Sequence, residues 1–264
     1  MNIFFPQWQG SGIGTSIEDG AKTVFDYIND DIVSIPLSEK PLELEQNING
    51  HATLLEQLSR FKTVLVKEQP KTVHTIGGDC GLEIIPVSYL AEKHNNLGVI
   101  WFDAHADINL PEESHSHNFH GMPLRTLLGE GNDAFKDLLF TQIKPSQIHY
   151  IGLRSIDEAE QNRINKDHIY APLTLDISHL IQTLKDKGIT KLYIHFDVDC
   201  LDPESYKSAY FNVNNGITTT ESEHYIKELK SNFEVVGTSI LESVAMTEVQ
   251  LQPIKKIIDL LFNE

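Results

Sequence analysis

The chain is 264 residues long, with 40% apolar and 22% charged residues; this fits one large α/β domain with a substantial core and excludes a disordered chain. Its formal net charge of -17 argues against nucleic acid and membrane surfaces as partners and favours a small cationic ligand. Two cysteines, Cys80 and Cys200, are too few for a disulfide framework and fit a reducing cytosol. The opening Met1-Asn2-Ile3-Phe4-Phe5-Pro6 has no basic region or long apolar stretch, and no apolar run reaches bilayer length, so a cytoplasmic location is expected.

Taken in order, Ile3-Phe4-Phe5 reads as a first short strand. A Gly-Ser-rich loop over 9–14 follows, whose glycines lack the spacing of a dinucleotide fingerprint. Ser16 suits the N-cap of a helix over 17–28. Residues 32–44, with Pro36 and Pro41, read as an extended connection. Leu54, Leu55, Leu58, Phe61, Val64 and Leu65 recur at helical spacing within a helix over 47–67. A strand over 72–76 runs into Gly77-Gly78-Asp79-Cys80, where two glycines permit a tight turn into a helix over 81–93. Residues 97–102 form an unbroken apolar run and predict a buried strand. A polar, histidine-rich loop over 111–120 leads to a helix over 123–128 opened by Pro123. Strands over 148–154, 191–197 and 235–241 and helices over 177–187, 221–233 and 248–262 complete the pattern. Such alternation predicts parallel βαβ units in a single domain, 1–264, with ligands bound at the carboxyl ends of the strands.

The chemistry-bearing residues stand where those strands end. Asp103, His105 and Asp107 follow the apolar run at two-residue spacing, which in an extended backbone turns all three side chains the same way. Oxygen and imidazole donors so placed suit a divalent cation, with a plain acidic helix cap as the alternative. Asp197 and Asp199 repeat the arrangement after 191–196. Two buried strands ending in paired carboxylates repel one another unless cations neutralise them. Five donors exceed the needs of one ion with open positions, so two ions sharing a bridging carboxylate are predicted.

Assembled in order, Gly77-Gly78-Asp79, Asp103-Ala104-His105-Ala106-Asp107, Asn118-Phe119-His120-Gly121, Ile151-Gly152-Leu153-Arg154, Asp197-Val198-Asp199-Cys200-Leu201-Asp202-Pro203 and Glu242 resemble the arginase/agmatinase (ureohydrolase) family over essentially the whole chain. The resemblance implies a three-layer α/β/α sandwich around a mainly parallel sheet of about eight strands. It also implies a homo-oligomer, trimer or hexamer, that hydrolyses a guanidinium group with two Mn2+ ions. On the same footing, Asp103 and Asp197 would be bridging carboxylates, His105 and Asp199 would complete one ion, and Asp107 would serve the other. Asp107 would also hydrogen-bond the bridging hydroxide, His120 would shuttle protons, and Glu242 would pair with the substrate guanidinium. Asn109, Ser116, Asn118, Asp157 and Glu160 match positions at which arginases hold the amino-acid end of arginine, so L-arginine, giving ornithine and urea, is the expected substrate. The alternatives are a catalytically weak metal- or ligand-binding relative, or a hydrolase of agmatine or formiminoglutamate.

Two departures from the family pattern matter. Histidine usually follows Gly-Gly-Asp as the last ligand of the first ion, and here the residue is Cys80. A thiolate binds metal but favours softer ions, such as zinc, over Mn2+; a small neutral buried thiol beside a weakened first site is the other reading. Restoring histidine there is expected to raise metal affinity. The loop over 204–217 also departs, with Phe211-Asn212-Val213-Asn214-Asn215-Gly216. Among single residues, Cys200 reads as core packing, Asp202 as a turn former, Arg154 as a partner for its acidic surroundings, and His195 as a satisfied core histidine. His115 and His117 read as solvated.

Overall fold

The computed structural model describes residues 1–12 and 14–263; Ile13, in the Gly-Ser loop, and Glu264 lie outside the described residues. The chain opens with β1 (Asn2–Phe5), α1 (Ser16–Ile28) and the short β2 (Ile32–Ser34), which occupies the start of the expected extended connection. A small hairpin of β3 (Leu44–Glu45) and β4 (Ile48–Asn49) then precedes α2 (His51–Glu68). That helix starts later than the sequence pattern predicts because Gln46 and Asn47 stand at φ 49° and 60°, a left-handed backbone that turns the hairpin instead.

The remaining elements are β5 (Val73–Gly77), α3 (Ile84–Lys93), β6 (Leu97–Phe102), α4 (Pro123–Leu127), α5 (Asp133–Lys136), β7 (Ile148–Ile151), α6 (Glu158–Asp167), α7 (Ile177–Asp186), β8 (Lys191–Phe196), α8 (Thr219–Asn232), β9 (Glu234–Ile240), α9 (Glu248–Leu251) and α10 (Lys255–Phe262). The last two replace a single expected helix, since Pro253 interrupts it with one tighter turn, Gln252–Ile254. Helix α6 has little apolar periodicity to reveal it. Its start is fixed by reciprocal capping, with the Glu160 amide donating to Asp157 Oδ1 at 2.9 Å and the Asp157 amide to Glu160 Oε2 at 3.1 Å.

The main sheet has the order β2-β1-β5-β9-β8-β6-β7, and every neighbouring pair is parallel. It has seven strands among the described residues, where the family resemblance implied about eight. Beyond β7, among the described residues, the pairing is a single parallel bridge between His149 and Tyr170, and Pro172 two residues later has no N–H to extend a ladder. Alternate strand residues feed two cores. Ile3, Phe5, Val99, Trp101 and Tyr193 face the layer holding α2 and α3, while Ile100, Phe102, Ile194, Phe196 and Ile240 face the layer of α1, α7, α8 and α10. The result is a three-layer α/β/α sandwich.

Four adjacent strands, β5, β9, β8 and β6, deliver their carboxyl ends to one place. A Cβ on Gly78 would lie 1.8 Å from the Gln7 carbonyl oxygen, so only glycine lets the loops after β1 and β5 meet. Asp79 locks that junction, accepting from Gln7 Nε2 at 3.1 Å, the Gly10 amide at 2.8 Å and the Gly81 amide at 2.9 Å.

Candidate metal centre and substrate cleft

The acidic residues are not carried on strand faces as their two-residue spacing predicts. β6 stops at Phe102, and the backbone beyond it turns. Asp103 Oδ1 accepts from the His105 amide at 2.7 Å, and Asp107 adopts φ 52°, a left-handed conformation unusual for aspartate. Asp197 likewise caps a single helical turn, Val198–Cys200, by accepting from the Asp199 amide at 2.7 Å. These turns fold the carboxylates inward, and Cys200 turns into the core as expected.

The groups converge nonetheless. His105 Nδ1 lies 2.9 Å from Asp199 Oδ2 and 3.5 Å from Asp103 Oδ1. Asp199 Oδ1 accepts from the Ala104 amide at 3.0 Å. The Cys80 thiol donates to Asp197 Oδ2 at 3.2 Å, and the Cys80 amide donates to Glu242 Oε1 at 3.3 Å. Three sets of donor atoms each gather within 4.8 Å: Cys80, Asp103, Asp107 and His195; Cys80, Asp197 and Glu242; and Asp103, His105 and Asp199.

Burial and mutual repulsion set the protonation of this cluster. Burial, then the Asp103 charge, pushes the Asp107 carboxyl well above the carboxylate range; burial, then Asp199, does the same for Asp197. Burial and Asp103 raise Asp199 to about 6. Burial disfavours the charge on Asp103, yet the imidazoles of His105 and His195 outweigh it and hold that carboxyl low. Against its own burial, His105 is raised to about 11 by Asp103 and Asp199. The Cys80 thiol is pushed up by burial and by the Asp107 and Asp197 charges. Among the described residues, Asp107 Oδ2 and Glu242 Oε2 are buried with no hydrogen-bond partner. Buried oxygen donors in excess of cations, two of them orphaned, fit a divalent-metal site.

A cleft of about 400 Å3 opens onto the cluster. Asp107, His105, Asp197, Asp199 and Cys80 form its floor, and Asn109, Ser116, Asn118, His120, Asp157 and Glu160 line its walls. His120 Nδ1 lies 3.4 Å from Glu242 Oε1, and that carboxylate raises the His120 pKa against the effect of burial. Several wall residues also serve the scaffold. Asn109 Nδ2 donates to Asp157 Oδ2 at 2.8 Å, Asn118 Nδ2 donates to the Ser11 carbonyl at 2.8 Å, and Ser116 Oγ accepts from the Asn118 amide at 3.2 Å. Burial lifts Glu160 to about 7. His115 lines the cleft as well.

Sequence reasoning missed two contributors. Phe211, in the altered loop, lies with its ring centroid 5.9 Å from His105 and 5.5 Å from His120; nothing in its local pattern marks it. His195 was read as a core histidine, and it is wholly buried, but its ring reaches the cluster. Its signal was available, since it stands two residues before Asp197 on β8. Arg154 does not seek carboxylates. Its guanidinium donates to the carbonyls of Gly152, Asp199, Cys200, Leu201, Val213 and Asn214, tying β7, the Asp197 turn and the altered loop together. Asp202 is a turn former, accepting from the Glu204 and Gly216 amides. Among the described residues no helix is long and apolar enough to cross a membrane.

Comparison with known proteins agrees with this geometry. The Arginase family model matches residues 20–249. An arginase of Staphylococcus aureus is 35% identical over 211 residues, 76% of this chain and 66% of that protein, so the chain spans about two thirds of that relative. The arginase of Bacillus subtilis is 30% identical over 235 residues, 84% of this chain and 77% of the other. The structure of Entamoeba histolytica arginase in complex with L-ornithine superposes with a TM-score of 0.88 at 26% identity, covering 100% of this chain and 98% of that one. With the fold, the order of the motifs and these relatives in agreement, the chain belongs to the arginase family of ureohydrolases.

Proposed function

We propose that the protein is a two-metal amidinohydrolase that converts L-arginine to L-ornithine and urea. One observation carries the reading: four neighbouring strand ends bring Cys80, Glu242, Asp197, Asp199, Asp103, His105 and Asp107 together, and five of these, Cys80, His105, Asp107, Asp197 and Asp199, floor one cleft whose walls are polar and acidic. The L-ornithine complex of the Entamoeba relative adds support. Mn2+ is the proposed ion, and a cytoplasmic homo-oligomer, trimer or hexamer, of one domain the proposed form.

Two divalent ions, when bound, lower the pKa of water toward neutrality and fix its position. Asp103 and Asp197 would hold both ions, His105 and Asp199 would complete one, and Asp107 and Cys80 would serve the other. Glu242 would receive the planar guanidinium, its Oε2 accepting charge-assisted hydrogen bonds from the guanidinium N–H groups. Water attacking the guanidinium carbon would give up a proton to the Asp107 carboxylate and form a tetrahedral centre, from which the bond to the substrate nitrogen would break as that nitrogen is protonated. Asp107 would carry the proton lost by the attacking water to that leaving nitrogen, and His120 would exchange protons with solvent. Asn109, Ser116, Asn118, Asp157 and Glu160 hold the amino-acid end and so set the placement on which the rate depends.

Cys80 supports a second reading, a metal-binding relative with weak turnover. The test is release of urea from L-arginine by the Mn2+-loaded protein, set beside agmatine and formiminoglutamate. Turnover of L-arginine above the others is expected; preference for another substrate moves the assignment within the family, and no turnover of any favours the second reading.

A further inference from the structure

Position 80 lacks the imidazole that the family pattern places there, yet an imidazole stands beside it. His195 Nε2 lies 3.8 Å from Cys80 Sγ and 3.4 Å from Asp103 Oδ2, and Cys80 Sγ lies 3.2 Å from Asp197 Oδ2. Donor atoms sharing one ion with bonds of roughly 2.0–2.3 Å sit about 3–4 Å apart, and all three spacings fall in that range. His195, Cys80, Asp103 and Asp107 also form one of the mutually close donor groups.

The rest of the ring is held as a metal-ligating histidine is held. Nδ1 lies 3.1 Å from Oε1 of Glu83, and both residues are wholly buried. A carboxylate that accepts a hydrogen bond from Nδ1–H fixes the tautomer whose Nε2 lone pair is free to bind an ion. Trp101 stacks on the ring at 3.5 Å with planes 7° apart, fixing its orientation, and the indole Nε1 donates to Asp103 Oδ2 at 3.1 Å. A wholly buried Glu–His pair, joining β8 to the turn after β5, is costly to bury for packing alone. Facing Cys80 and two carboxylates, it has a use.

We propose that His195, oriented by Glu83, is the imidazole ligand of the first metal ion in place of the histidine that Cys80 replaces. The inference rests on the two-metal reading above. It alters that site's chemistry, because imidazole, sulfur and carboxylate donors together rank Co2+ and Zn2+ above Mn2+. It also revises the expected effect of Cys80→His, since a second ring would compete with His195 for the same space.

The test reads bound metal rather than turnover. His195→Asn is expected to lose one of two Co2+ ions per chain, Cys80→His alone to gain nothing, and the double variant Cys80→His/His195→Asn to regain the second ion. Glu83→Gln, which leaves the ring in place, is expected to weaken binding at one ion by roughly tenfold or more. X-ray absorption of the unaltered Co2+-loaded protein needs no variant to fold and should count two imidazoles per pair of ions, His105 and His195. A single imidazole in that measurement overturns the proposal, as does a folded His195→Asn protein with unchanged metal content and affinity. Two bound ions with no urea release would instead count against the proposed function and leave the His195 ligand standing.

Discussion

At the scale of single residues, the proposed function separates groups that would hold metal from groups that would meet substrate. Asp197→Ala removes a carboxylate shared by both proposed ions and leaves Asp103 and Asp199 facing each other. Elemental analysis should find both ions lost, and urea release should vanish; two retained ions would refute the bridging role. Glu242→Gln keeps the shape of the side chain but removes the charge that receives a guanidinium. Its metal content should be unchanged while kcat/KM for L-arginine falls on the order of 100-fold, the usual cost of one well-placed charged contact in a desolvated site; loss of metal would make Glu242 a structural ligand. The donor residues were legible because Asp and His at such spacing beside apolar strands have few other uses. How they converge was not, since Asp103 and Asp197 make side-chain turns and Asp107 takes φ 52°. His195 shares the face of Asp197, but a buried histidine on an apolar strand looks the same whether it packs or ligates.

At the scale of elements, Arg154 fastens three chain segments through six carbonyl oxygens. Arg154→Met should lower the unfolding free energy by about 1–3 kcal/mol, because several partly buried carbonyls lose their donor. Arg154→Lys should recover little, as one ammonium cannot span that fork. Urea denaturation decides the matter, and a lysine variant as stable as the wild type would contradict the clamp. On β7, burial and then the Lys187 charge depress the His149 pKa to about 3 from an unfolded value of 6.5. Between those values the unfolded chain binds the proton that the fold refuses. The contribution of His149 is therefore complete above pH 6.5 and is lost as pH falls toward 3. His149→Gln should flatten that limb by roughly 2 kcal/mol near pH 4.5; an unchanged acid slope would show that the ring protonates freely in the fold. The strands were legible as apolar runs between glycines. β2 and the edge beyond β7 were not, because edge pairing is settled by neighbours and by Pro172 more than by pattern.

At the scale of the whole molecule, seven parallel strands bring four carboxyl ends side by side, which no local stretch of sequence contains. The alternation of strands and helices made the parallel sheet readable, and the order of the acidic motifs made its active edge readable. The altered loop with Phe211 was not readable, since its packing onto His105 and His120 depends on segments distant in sequence. In the proposed reading, the buried carboxylates make activity depend on metal occupancy. The most direct measurement is therefore a titration of the metal-free protein with Mn2+, following bound ions and urea released from L-arginine in the same samples. Urea release should stay near zero until the second ion binds and then rise to a plateau at two ions per chain. Full turnover without bound metal, or none with two ions bound, would contradict the account.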